Sequence, residues 1–371
     1  MRINIILFFM LLMSAAHAQN MFLFIGTYTN TGSKGIYVYK FNAATGKVEA
    51  VSNTENVVNP SYLAVTTNGK YVYAVNETNG DHPGKVSAFS FEKETGKLHF
   101  INQQISGGDD PCYVSVNKTN NWLFVANYSG GSVSAIQINK DGSLNPAAQV
   151  IQHNGKSINK ERQEKAHVHS AVLSPAQDYL LTADLGMDKV MAYKFSPQQT
   201  KPLPEDATSF VSVTPGNGPR HVTFHPNGKF AYLSKEMGGT VGAYKYQDGN
   251  LTLLQNIAAH PADFAGQPGS ADIHVSPDGK FLYVSNRGEE NNLAIFSVSA
   301  ATGKLTFKGY QSAIGKTPRN FIIDPTGQYL LVANQDSNNI VIFKRNSVTG
   351  LLKETGQQIE LPRPVCLQFL K

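Results

Sequence analysis

Five side chains have the types and the spacing to share one site: His169, Arg220, Glu236, Arg287 and Arg319. Arg220 precedes Glu236 by 16 residues, His169 precedes Arg220 by 51, and Arg287 follows Glu236 by 51. A carboxylate beside guanidinium groups stays ionised and is therefore a base rather than an acid. An imidazole titrates near neutral pH and passes protons in either direction. Arginines hold a carboxylate or phosphate through paired hydrogen bonds, or balance negative charge that develops on an oxygen. The same residues would also make a salt-bridged rim, so the positions that carry them have to be established first.

Those positions belong to a repeated element. The stretch from Gly218 to Glu236 reads as two apolar-patterned strands joined at Pro226-Asn227-Gly228, and Asn-Gly between such runs signals a β-hairpin. Folding back at that turn brings Arg220 and Glu236 to one edge. The hairpin recurs along the chain, with turns at Asn68-Gly69, Asn120-Asn121, Ala176-Gln177, Asp278-Gly279 and Thr326-Gly327. Its opening residues are Pro60, Pro111, Val168, Pro219, Ser270 and Pro318, spaced by 51, 57, 51, 51 and 48 residues. A last anchor is read at Pro362-Arg363, 44 residues on, with a single strand from Val365 to Leu370. A third strand follows each hairpin (Lys85 to Phe91, Val241 to Tyr246), and usually a tight turn and a fourth.

Four antiparallel strands in a repeat of roughly 45–55 residues predict an all-β chain folded as a β-propeller. Phe22 to Tyr28 reads as a second strand without a first. The lone C-terminal strand supplies it, which gives a seven-bladed β-propeller whose last blade is closed by the N- and C-terminal strands.

In a propeller the start of each first strand and the end of each second strand open onto the same face. In register, the first column reads Ser61, Cys112, His169, Arg220, Ala271, Arg319 and Arg363, and the second reads Tyr28, Glu77, Tyr128, Leu185, Glu236, Arg287 and Gln335. Two positions into each complete first strand the residue is apolar (Leu63, Val114, Ala171, Val222, Ile273, Phe321), the period of packing between blades. The columns instead gather charge between the blades of His169 and Arg319. A repeat broken by charge marks a site grafted onto the scaffold. Lys156 to Lys165 make the one long spacing and are placed to overhang that side.

His167 and His169, two apart, are expected to point the same way; with no third ligand in the pattern, no metal is expected. His221, His225 and His274 read as hydrogen-bonded structural residues, and Asp272 as a supporting acceptor. Cys112 and Cys366 fall in blades that are not neighbours and are expected to be free thiols.

Charged residues are 16% of the chain and the formal net charge of +5 is spread along it, with no basic block of the kind that grips nucleic acid. Arg2, the apolar run Ile3 to Met13 and Ala16-His17-Ala18 have the pattern of a secretory signal peptide, so residues 1–18 are expected to be removed. Residues 19–371 are then expected to form one propeller domain, a periplasmic or secreted monomer with no membrane span.

Glu161-Arg-Gln-Glu-Lys-Ala-His-Val-His-Ser170, Gly218-Pro-Arg-His221, Ala271-Asp-Ile-His-Val-Ser-Pro-Asp-Gly279 and Asn286-Arg287 resemble the lactonase family of seven-bladed propellers. That family includes a bacterial type of 6-phosphogluconolactonase and is similar to the carboxy-cis,cis-muconate lactonizing enzymes. The resemblance covers the chain beyond its leader. It implies a sugar-lactone hydrolase working without a cofactor on a small lactone or sugar acid, with His169, Arg220, Glu236 and Arg287 as catalytic residues. Glu77, Tyr128, Arg319 and His167 are the expected substrate contacts. A lactone-forming cycloisomerase and a non-catalytic propeller that binds a ligand or partner are the rival readings. Export points away from a phosphorylated intracellular metabolite and towards an unphosphorylated or different lactone.

Overall fold

In the computed structural model, which describes residues 20–370, the chain forms seven four-stranded antiparallel sheets. The described residues contain no α-helix; the leader assigned to residues 1–18 lies outside them. Blades are numbered from the first complete sheet. Blade 1 runs from Leu63 to Ile105, blade 2 from Pro111 to Gln152, blade 3 from Val168 to Ser212, and blade 4 from Pro219 to Ala258. Blade 5 runs from Ser270 to Ser312 and blade 6 from Pro318 to Glu360. Blade 7 comes from both ends: Pro364–Phe369 pairs with Asn20–Thr27, followed outward by Tyr37–Asn42 and Val48–Asn53. The closure expected from the two unpaired strands is present.

Packing between blades accounts for the strand patterns. Second strands such as Trp122–Asn127, Phe281–Asn286 and Tyr329–Asn334 are buried at every position, because neighbouring blades cover both of their faces. Fourth strands such as Lys97–Ile105 face solvent and bury little. Blades are also keyed to one another. Tyr73, Tyr232 and Tyr283 donate their hydroxyls to the carbonyls of Gly142, Gly303 and Gly350 in the next blade, at 2.9, 3.0 and 2.7 Å. Those glycines turn the chain at φ 84°, 71° and 77°, and a Cβ there would run into the rings of Tyr71, Phe230 and Phe281.

The upper end of each hairpin carries a feature that alternation in the sequence does not encode. In blade 3 Val168 pairs with Asp184 and Ser170 with Ala183, so His169 is an extra residue without a partner, a β-bulge. The same shift leaves Cys112, Arg220 and Arg319 unpaired in blades 2, 4 and 6. Each bulge turns its extra side chain out of the ladder and towards the channel mouth.

Blade 7 corrects one position of the column. Thr27 pairs with Pro364 and Gly26 with Cys366, so the bulged residue is Val365 and the anchor is Pro364. Arg363 lies in the preceding loop at φ 43°. Pro362-Arg363 imitates the Pro-Arg pairs of blades 4 and 6, and the nearby second proline is the one that starts the strand. Cys112 and Cys366 are free and buried, in blades 2 and 7, and the Cys366 Sγ accepts a hydrogen bond from the Leu63 amide at 3.3 Å across the closing seam.

Candidate active site

A cavity of ≈ 340 Å³ opens on the bulged face, lined by Tyr28, Glu77, Cys112, Tyr128, His169, Glu236, Arg287, Arg319 and Arg162. All but Arg162 belong to the two columns read from the sequence. Arg220 and His167 are not among its walls; each lies one layer behind it.

Glu236 is the hub. Its Oε1 accepts a hydrogen bond from Arg162 Nη2 at 2.8 Å, while Arg220 Nε and Arg287 Nη2 each stand 3.0 Å from Oε2. Arg220 meets the carboxylate as an ion pair off the hydrogen-bond line, and its Nη1 has no partner among the described residues. Burial alone would raise the Glu236 carboxyl, but Arg287, Arg220, His169 and Arg162 together hold it well below the usual carboxylate range. The guanidinium groups fare differently. Burial, then repulsion from Arg287, lowers Arg220 to about 10 in spite of its contact with Glu236. One carboxylate shared among three guanidiniums is over-compensated itself and under-compensates Arg220, the one farthest from water.

His169 stands beside this cluster, its Nε2 4.0 Å from Glu236 Oε2 and its Nδ1 3.6 Å from Cys112 Sγ. Burial, reinforced by Arg220, holds its pKa well below the ordinary histidine value, so the ring is neutral at neutral pH. Cys112 is pushed up by burial and by Glu77, and stays a thiol. His167 stacks on the Tyr128 ring at 4.6 Å between centroids, with Nδ1 3.1 Å from the Tyr128 carbonyl and Nε2 3.1 Å from Glu164. The rings of His167 and His169 both pack against Tyr128, one stacked and one edge-on, but only His169 reaches the cavity wall; His167 supports Tyr128 from behind.

Arg162 was not among the candidates, although the long spacing before blade 3 marked its loop. Asn159 Oδ1 accepts from the amides of Glu161 and Arg162, each at 3.0 Å, which fixes the turn. The fully buried Gln163 then bolts the loop down, donating to the Leu185 carbonyl at 2.9 Å and to Asp188 at 2.7 Å. Arg162 is thereby carried over the cavity, where it also donates to the Tyr128 hydroxyl at 3.1 Å. On the opposite wall Tyr28 donates its hydroxyl to Glu77 at 2.8 Å, and Arg319 lies 3.9 Å from the same carboxylate.

Below the cavity Asp272 ties the inner strands together. It meets His221 at 2.8 Å and His274 at 3.0 Å and accepts from the side-chain amide of Asn320, the structural role expected for these histidines. His225 is likewise structural, its Nε2 2.9 Å from the Gly279 carbonyl. Among the described residues no group of three or more His, Cys, Asp or Glu is placed to hold a metal ion, and no helix is long and apolar enough to cross a membrane.

Fold and cavity together define a seven-bladed propeller with one charged site at the channel mouth. The family model for the seven-bladed β-propeller lactonases matches residues 22–369. The chain belongs to that lactonase family. A 6-phosphogluconolactonase from Formosa agariphila is 39% identical over 94% of this chain and 99% of its own length. A crystal structure from Bacteroides fragilis NCTC 9343 superposes with a TM-score of 0.91 at 45% identity, covering 96% of this chain and 99% of that one. The periplasmic gluconolactonase of Pseudomonas aeruginosa has a TM-score of 0.91 and 38% identity, covering 95% and 99%.

Proposed function

We propose that the protein hydrolyses a sugar lactone to the corresponding sugar acid, with His169 as the general base. The observation that carries this reading is the division of labour around Glu236. That carboxylate is engaged by three arginines, whereas the neutral His169 beside it is free to take a proton. Water attacks the lactone carbonyl as His169 removes its proton, and Arg287 and Arg162 balance the charge that develops on the carbonyl oxygen. The imidazolium returns the proton to the ring oxygen as the carbon–oxygen bond opens, so one residue serves in both half-steps. Glu236 orients the arginines, and Arg220 secures Glu236 from beneath.

The names of the Formosa and Pseudomonas relatives support this class of substrate. The leader pattern at residues 1–18 supports export, as does the periplasmic setting of the Pseudomonas protein. The test is acid release at constant pH from a panel of aldonolactones, corrected for spontaneous opening. Catalysed release that falls by about 10²–10⁴-fold in His169→Gln is expected; a wild-type rate equal to that of buffer across the panel would end the proposal.

A further inference from the structure

The cavity does not stop at Tyr28, Glu77 and Arg319. These side chains also wall an adjoining hollow of ≈ 560 Å³ on the same face, to which Asn59, Asn79, Asp110, Gln335 and Arg363 contribute. The two halves differ in charge. Around His169, three arginines share the carboxylate of Glu236. In the second half Arg319 faces Glu77 at 3.9 Å, Arg363 faces Asp336 at 3.6 Å, and Asp110 adds a further carboxylate, so neither arginine is in surplus. Both guanidiniums also lie over the Tyr28 ring, at 5.5 and 5.6 Å from its centroid.

Glu77 is the informative residue. Its Oε1 receives the Tyr28 hydroxyl, while its Oε2 is buried and has no partner among the described residues. A buried carboxylate oxygen calls for a donor. A hydroxyl donates; a phosphate ester near neutral pH brings negative charge and acceptor oxygens instead.

We infer that the second half is a hydroxyl-recognition subsite, and that Glu77 makes the protein select lactones bearing free hydroxyls against their phosphate esters. The choice of ligand rests on the sugar-lactone reading above. With the acyl carbon at His169, the polyol end of the molecule reaches Glu77, Asn59 and Asp110. A phosphate in that place meets the carboxylates of Glu77 and Asp110, and finds the charges of Arg319 and Arg363 already balanced, with only the buried Arg363 Nε left as a free donor.

The test measures binding of gluconate and 6-phosphogluconate by calorimetry, in the wild-type chain and in Glu77→Gln, alongside hydrolysis of the two parent lactones. Gluconate is expected to bind the wild type at least about tenfold more tightly than its phosphate ester. Loss of a hydrogen bond to a charged group weakens gluconate by about 10–100-fold in Glu77→Gln. The same change frees Arg319, so the phosphate ester gains and the preference narrows or reverses. Tighter or equal binding of 6-phosphogluconate by the wild type, an unchanged ratio in the variant, or binding of neither acid would overturn the inference. A gluconate preference without turnover of either lactone would support the subsite and refute the hydrolase reading.

Discussion

Replacing Glu236 by glutamine preserves the shape of the hub and removes its charge, and the surroundings set the cost. Arg220 has a side chain only 2% exposed and is left with a buried charge in contact with a neutral amide, whereas Arg287 and Arg162, at 17% and 46%, regain water. Breaking a buried ion pair by removing one partner costs about 3–5 kcal/mol. With one of three guanidiniums stranded, the lower end, about 3 kcal/mol, is expected. Unfolding entropy of about 2.1 cal/mol/K per residue amounts to about 0.7 kcal/mol/K for about 350 residues, so Tm falls by about 4 °C. The double variant Glu236→Gln, Arg220→Met deletes the stranded charge as well and should recover most of that loss. Lactone hydrolysis by the single variant should drop by about 100-fold as the arginines lose their alignment. Calorimetric melting and titrimetric rates on the three proteins decide the matter. An unchanged Tm in the single variant, or a double variant less stable than the single, would refute the dependence of Arg220 on Glu236.

His169→Gln should lower kcat by about 10²–10⁴-fold with little change in KM or Tm, which steady-state rates and a melt will show together. Acid should destabilise the fold through its buried histidines. Burial, then Arg220, lowers His221 from 6.5 to about 4, so the unfolded chain takes up that proton first. Its contribution is whole above pH 6.5 and is lost as pH falls towards about 4, a slope that urea titrations at stepped pH will reveal. Deleting residues 364–371 removes the buried Val365, Cys366, Leu367 and Phe369 from the closing sheet. At about 1.5–3 kcal/mol per buried apolar side chain, that loss rivals a typical total stability of about 5–15 kcal/mol. No soluble folded monomer is expected on size exclusion.

The ring was legible because its turns and apolar runs repeat at nearly constant spacing, and the columns were legible because they break that repeat with charge. Depth was not. Column position gives the strand and the face, but whether Arg220 lines the cavity or lies beneath it depends on how neighbouring side chains pack. The bulge was hidden for a related reason: one unpaired residue leaves the apolar alternation of the remaining strand intact, so nothing in the sequence separates His169 from its ladder. Arg162 reaches the site through the hydrogen bonds of Gln163 and Asn159, and a loop's landing place has no periodicity to betray it. Arg363 was misplaced because Pro362 and Pro364 offer two plausible starts, and only pairing with Thr27 chooses between them.

The seam of blade 7 also sets an order of events during synthesis. Gly26 pairs with Cys366, so an early strand waits for one of the last segments to be made. At about 5–20 residues per second, that interval is about 20–70 s. Throughout it Met21-Phe-Leu-Phe-Ile25 offers an unpaired, strongly apolar edge of the kind that recruits other chains. A ring stitched by its final strand cannot complete itself while the chain is still growing. Under the export proposed above, that delay is protective: the ring cannot lock until its final strand has been made and has reached the first.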